Sequence, residues 1–392
     1  MSRRAEFEEA HPEVHILSHQ QAGRVDLVMG ALGWLGDEEQ VTACSTLGGD
    51  SSTVMRVELQ ELRGGWRTAV LKQSLPWLRR DESVAMPAGR GRAEFRFYRQ
   101  VARLPEAASH MPRLLGGDEK RSILLLEDCR GSSDLTVLYC GRVLDEDAAA
   151  GLGSFLRALH ESTRGCEDRE LSNPGMKDLN HRLLFEAPYG LAPPVGEGLG
   201  PDGPALDRPA LDELEEGLGA SAMAMRSDGE FRKAVAELGE RYLDSDTCLV
   251  HGTFHPGNWL LLPDGDVRVV DPQYGEWGDA EFDVGTGLAH LLLARQPEEV
   301  VRTFLSAAAG RSGDEREPDD TGLEQREGEP AVEAGPPGLD PELAARYAGV
   351  ELVRRLIGGG RVPLTGDAGV RTALLATART AVVEGHLEVL RT

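Results

Sequence analysis

This sequence predicts a two-lobed α+β chain, a small antiparallel-sheet lobe followed by a mainly helical one, and three observations carry that reading. Between residues 40 and 73 apolar residues alternate in three consecutive runs, the period-2 signature of strands. From about residue 144 the apolar spacing changes to the three-to-four period of amphipathic helices. At 392 residues the chain also exceeds what one core supports, since single cores stop growing near roughly 250–300 residues. The division is expected near residue 127, giving an N-terminal lobe of 1–127 and a C-terminal lobe of 128–392.

The strand runs are VTACSTL, TVMRVELQEL and WRTAVLK, separated by GGDSS and RGG. In the second run Met55, Val57 and Leu59 share one face while Arg56 and Glu58 share the other, so an antiparallel meander is expected. RAEFRFYRQVARL (92–104) has helical spacing, and RSILLLED (121–128) is an apolar run of strand length. Helical patterns follow in DAAAGLGSFLRALHEST and EFRKAVAELGERYL, with a Gly- and Pro-rich loop over 188–210 between them. The GLGPDG within that loop matches G-x-G-x-x-G by spacing alone; no strand precedes it, so it reads as a chance match. Residues 313–340 hold ten acidic and two basic residues and little to bury, which predicts a disordered insertion. PELAARYAGVELVRRLIG and VRTALLATARTAVVEGHLEVL close the second lobe as helices.

Composition narrows the function classes. Hydrophobic residues make up 40% and charged residues 28%, as in a globular protein. A net charge of −24 without a Lys/Arg-rich stripe argues against nucleic-acid binding. Five scattered cysteines without a CxxC pair read as reduced thiols rather than a zinc or redox site. The polar N-terminal stretch and the lack of an 18-residue apolar run predict no membrane partner and a cytoplasmic setting.

The chemistry concentrates in HGTFHPGN (251–258) and NWLLLPDGDVRVVD (258–271). Asp264-Gly265 between two apolar runs reads as a two-residue hairpin turn, which would set Asn258 opposite Asp271. An amide and a carboxylate side by side suit Mg²⁺, which takes one or two protein ligands and completes its shell with water and phosphate. The competing reading is a hairpin whose ends are merely polar. Lys72, at the end of the third run, and Glu94, on the following helix, suit the holding of nucleotide phosphates when paired.

Together these residues resemble the aminoglycoside phosphotransferase and choline kinase group of small-molecule kinases, which have a protein-kinase-like fold, and within it the methylthioribose kinase branch most. LGGDSSTVMRV resembles the nucleotide loop, VLKQSLPWLRR the lysine strand, LLLED the hinge, HGTFHPGN the catalytic loop, DPQYGEWGDAEFDVG the metal loop and VRRLIG the twin arginines, in the family's order from about residue 27 to 390. The resemblance implies an ATP- and Mg²⁺-dependent kinase acting on a hydroxyl of a small metabolite: a sugar, a thiosugar or an aminoglycoside-like compound. Its nucleotide would be held by Gly48, Gly49, Ser51, Lys72, Glu94, Glu127 and Cys129, its metal by Asn258 and Asp271, and its acceptor by Arg354 and Arg355. His251 and Asp283 would support the catalytic loop. For the twin arginines a salt bridge is the competing reading, and on one helix at most one of them is expected to face the cleft.

Two positions depart from the family pattern. Thr253 stands where the catalytic loop has Asp, and Gln273 stands where the metal loop often has Glu. A threonine hydroxyl accepts no proton usefully at neutral pH, so a base contribution of typically ~10²- to 10⁴-fold is missing or supplied elsewhere. His255 is the first substitute, against the competing reading that it packs the loop; Glu276 and Asp279 follow. The residues thus leave open a kinase, slow or degenerate, and a pseudokinase that binds nucleotide with little or no catalysis.

Overall fold

The computed structural model describes residues 3–49, 51–61, 64–79, 81–167, 169–190, 218–310, 338–358, 360, 362–364 and 368–388. GLGPDG and, apart from its last three residues, the acidic insertion expected at 313–340 lie outside the described residues.

Helices α1 (Arg3–Ala10) and α2 (Ala22–Ala31) precede the meander of β1 (Glu39–Gly48), β2 (Thr53–Glu61) and β3 (Trp66–Gln73). Two short strands, β4 (Trp77–Leu78) and β5 (Asp81–Ala85), come before α3 (Arg90–Val101) and α4 (Pro105–Ala108), and β6 (Leu114–Asp118) and β7 (Ile123–Glu127) complete the lobe. The five-stranded sheet runs β1-β2-β3-β7-β6, antiparallel throughout. Alternation gives this sheet two different faces. Met55, Val57, Leu59, Ala69 and Leu71 pack under Val25, Val28 and Met29 of α2. Their neighbours Val54, Arg56, Val70 and Lys72 line a cleft on the opposite face.

The remainder is mostly helical. After β8 (Ser133–Asp134) come α5 (Glu146–Thr163), α6 (Pro174–His181), α7 (Leu218–Ser227) and α8 (Gly229–Asp244). Asp145 caps α5 by accepting the Asp147 amide at 3.0 Å, satisfying one orphan donor of its first turn. Strands β9 (Cys248–Val250), β10 (Trp259–Leu261), β11 (Val267–Val269) and β12 (Glu276–Gly278) frame the segments 251–258 and 270–275. Helices α9 (Ala280–Leu293), α10 (Glu298–Ala308), α11 (Pro341–Ile357) and α12 (Ala368–Glu384) follow. Helix α9 is buried on nearly all sides, which explains its continuous apolar and small-residue composition. The last helix stops at Glu384, short of the sequence expectation, where Gly385 and His386 break the apolar pattern.

One register differs from expectation. β10 and β11 pair Trp259 with Val269 and Leu261 with Val267. Leu262 donates its amide to the Asp266 carbonyl at 2.8 Å, so the connection is a three-residue loop of Pro263, Asp264 and Gly265. Gly265 takes φ of +95°, a conformation that suits this position in three-residue hairpins. The shift of one residue sets Val270 opposite Asn258, with its amide on the Asn258 carbonyl at 2.9 Å, and leaves Asp271 one step beyond the pair.

Candidate active site

A cavity of about 560 Å³ lies between the sheet and the helical part, lined among others by Gly49, Lys72, Glu127, Cys129, Asn258 and Asp271. Lys72 leaves β3 on the cleft face and its ammonium meets the Glu94 carboxylate of α3 at 2.7 Å and that of Asp271 at 2.6 Å. Lys72 is 4% exposed and Glu94 fully buried, so the charges depend on one another. Burial alone would lower the lysine pKa, but the two carboxylates outweigh it and hold it above its ordinary value. Burial likewise pushes the Glu94 carboxyl up, and Lys72 offsets only part of that. Asp271 has φ of +62°, rare for a residue with a Cβ. That left-handed turn after β11 accompanies a carboxylate aimed at Lys72, and strain of this kind concentrates at functional sites.

The catalytic-loop segment is fixed mainly through its backbone. Asp283, fully buried in the first turn of α9, accepts the amides of His251 at 2.6 Å and Gly252 at 3.0 Å, and His160 meets the same carboxylate at 3.1 Å. His251 donates from Nε2 to the Val270 carbonyl at 3.0 Å and so ties this loop to the strand before Asp271. Gly252 is required by close approach: a Cβ there would stand 2.3 Å from the Tyr274 carbonyl oxygen. Asn258 donates Nδ2 to the Thr253 carbonyl at 2.8 Å and to the Thr253 hydroxyl at 3.3 Å. This orientation leaves its Oδ1 as the atom available to a cation. The Thr253 hydroxyl donates to the Asp271 carbonyl at 3.5 Å and faces no carboxylate among its hydrogen-bond partners.

The substitute bases are corrected by their surroundings. His255 accepts the Gly257 amide at Nδ1, 3.1 Å away, so its neutral ring carries the hydrogen on Nε2 and has no lone pair left for a substrate proton. Burial, aided by Arg355, also holds its pKa well below the ordinary histidine value. Glu276 accepts the Tyr242 hydroxyl and lies 3.6 Å from Lys177, and burial raises its pKa to about 8. Asp279 is taken by Arg241 at 2.8 Å, Ser245 at 2.6 Å and Tyr347 at 2.9 Å. Neither acid lines the cavity.

On the helical side both twin arginines turn to one acid, where at most one was expected to face the cleft. Glu351, 1% exposed, lies 3.2 Å from Arg354 Nη1 and 2.7 Å from Arg355 Nε. His290 donates Nε2 to the same carboxylate at 3.0 Å, which makes Nδ1 the acceptor of the Tyr139 hydroxyl at 2.6 Å. Burial would raise the Glu351 pKa, yet the two guanidinium groups carry it well below the carboxylate range. Arg355 also holds the Gly360 carbonyl at 2.8 Å, whereas Arg354 keeps a buried Nε without a partner.

Sequence reasoning missed Glu351, His290, Tyr139 and Arg90. Glu351 stands three residues before the twin arginines, and that i, i+3 spacing was the available signal. The other three join their sites through contacts between residues far apart in the chain.

Residues 58–319 match the model of the APH phosphotransferase enzyme family. Methylthioribose kinase from Klebsiella pneumoniae (strain 342) is 27% identical over 241 residues, 59% of this chain and 55% of that protein. The methylthioribose kinase of Cronobacter sakazakii is 29% identical over 240 residues, 57% of this chain and 54% of that protein. The chain thus spans about half the length of these curated relatives. Among solved structures, a choline/ethanolamine kinase family protein from Mesorhizobium loti matches with a TM-score of 0.48 at 14% identity, covering 94% of this chain and 98% of that one.

Proposed function

The chain belongs to the APH phosphotransferase enzyme family, and we propose that it transfers a phosphoryl group from ATP, with Mg²⁺, to a hydroxyl of a small metabolite such as a sugar, thiosugar or aminoglycoside-like compound. The observation that carries this reading is the buried Lys72 ammonium shared by Glu94 and Asp271 on the wall of the cavity. Lys72 would hold the α/β-phosphates and Glu94 would keep it aimed. The amides of Gly48, Gly49 and Ser51 would approach the phosphates, and the chain from Glu127 to Cys129 would meet the adenine. On this reading 1–127 is the nucleotide-binding lobe and 128–392 the catalytic and substrate lobe.

The donor set fits Mg²⁺: one carboxylate on Asp271 and one free amide oxygen on Asn258, both hard oxygen ligands. Among the described residues no cluster of three His, Cys, Asp or Glu side chains could hold a metal, as suits a cation that leans on water and phosphate. When bound, Mg²⁺ would neutralise phosphate charge during transfer. Asp283 and His251 would hold the loop, His255 would pack it, and Arg354 would face the acceptor or the departing phosphoryl oxygens while Arg355 braces the helix end. Five scattered cysteines fit a reducing cytoplasm where ATP is at hand. Among the described residues no helix is long and apolar enough to cross a membrane.

Thr253 favours a second reading, a pseudokinase or nucleotide-binding module, because nothing beside its hydroxyl replaces a base. Phosphoryl transfer relies chiefly on positioning and charge neutralisation, so a slow kinase without that base is chemically sound. A panel of hydroxylated metabolites assayed with Mg-ATP, on the parent and on Thr253→Asp, separates the two. Turnover by the parent supports the kinase; turnover by Thr253→Asp alone, with nucleotide bound by both, supports the binding module.

A further inference from the structure

We propose that Gln273 is a latch that positions the nucleotide loop through Ser51, and is not a metal ligand. This rests on the reading of the cavity as a nucleotide and metal site. Gln273 lies two residues beyond Asp271, where the resembling family often has a glutamate, and it is 8% exposed. Its Nε2 donates to the Ser51 hydroxyl at 3.1 Å, and its Oε1 accepts from Arg90 Nη1 at 2.6 Å. Arg90, fully buried at the start of α3, turns its other terminal nitrogen to the Ser51 carbonyl at 2.5 Å and the Leu75 carbonyl at 2.8 Å. Ser51 is therefore gripped at its side chain by one partner and at its backbone by the other, and the two partners grip each other.

Gln273 Nε2 donates to the Ser51 hydroxyl while its Oε1 accepts from Arg90, and the Ser51 hydroxyl lies 3.4 Å from that same Oε1, so one side chain serves both partners. That Oε1 belongs to a neutral amide and is already engaged by a guanidinium nitrogen at 2.6 Å, which makes it a poorer ligand for a hard divalent cation than a carboxylate. The main chain of Gln273 is itself anchored, its carbonyl accepting Asn173 Nδ2 at 3.0 Å. Ser51 is thereby tied to the segment two residues beyond Asp271.

Three readouts on the full chain test the latch: calorimetry with Mg-ADP, electron paramagnetic resonance of Mn²⁺ added to the ADP complex, and hydrogen exchange of amides 48–53 without nucleotide. Ser51→Ala and Gln273→Met are each expected to weaken Mg-ADP by about three- to tenfold and to speed loop exchange. The double variant should bind no worse than the weaker single one, and Mn²⁺ affinity should stay within about twofold. A Mn²⁺ affinity that collapses in Gln273→Met and not in Ser51→Ala overturns the latch, as do losses that multiply in the double variant. If Gln273→Met does not fold, unchanged binding and exchange in Ser51→Ala overturns it as well. Loop exchange that accelerates in a parent background unable to bind Mg-ADP would uphold the latch and overturn the proposed function.

Discussion

On the sheet side of the cleft one cation is shared by two acids, with Lys72 2.7 Å from Glu94 and 2.6 Å from Asp271. On the helical side one acid is shared by two cations, as Glu351 takes Arg354 at 3.2 Å and Arg355 at 2.7 Å. In the first cluster acids outnumber the ammonium they share, and in the second guanidinium groups outnumber the acid they share. Cover from solvent makes both surpluses matter, since charges a few ångströms apart interact several-fold more strongly there than in water. The contrast teaches that the two buried charge clusters are built with opposite stoichiometry, one cation between two acids and one acid between two cations.

The largest expected effect comes from breaking the sheet-side centre at Asp271, the acid on the cavity wall that meets Lys72. Asp271→Ala should lower phosphotransfer by on the order of 10³-fold, measured as ADP release with a hydroxylated acceptor. Activity within tenfold of the parent would remove Asp271 from the chemistry. Breaking the opposite centre should act first on folding: Glu351→Ala leaves two largely buried arginines unpaired and should cost about 3–5 kcal/mol in urea denaturation. Glu351→Gln, which removes the charge and keeps an acceptor, should lose less; equal losses would mean that the charge, and not the hydrogen bond, is what holds the arginines.

Thr253→Asp sharpens the contrast by adding the base between the two centres. Turnover should rise by about 10²-fold with the denaturation midpoint nearly unchanged, and an unaltered rate in a variant that binds nucleotide normally would place the deficit elsewhere. A separate, gradual effect is a pH slope from Glu276, whose folded pKa is raised to about 8 by burial. The unfolded carboxyl titrates near 4.5, so this contribution is full below that pH and is lost as pH rises toward about 8. Against Glu276→Gln, the parent should lose up to about 1.4 kcal/mol per pH unit across that window. Parallel profiles of the two proteins would refute the buried acid.

The meander, α3 and β7 were legible because alternation and helical spacing are local properties of the chain. β4, β5 and β6 were not, being short or interrupted by Gly116 and Gly117. The hairpin was read correctly in kind but one residue off in register, because Pro263 joins Asp264 and Gly265 in the loop. Asp-Gly marks a turn without stating its length. At the site, the residues brought to one cavity were found through motifs, whereas their partners were not. The contact of Arg90 with Gln273 spans 183 residues and that of Tyr139 with His290 spans 151, distances over which no periodicity reports.

The grip of Asp283 has a consequence for engineering. Because it holds main-chain hydrogens of His251 and Gly252 rather than any side chain of the loop, exchanging the side chain at position 253 removes neither of these anchors.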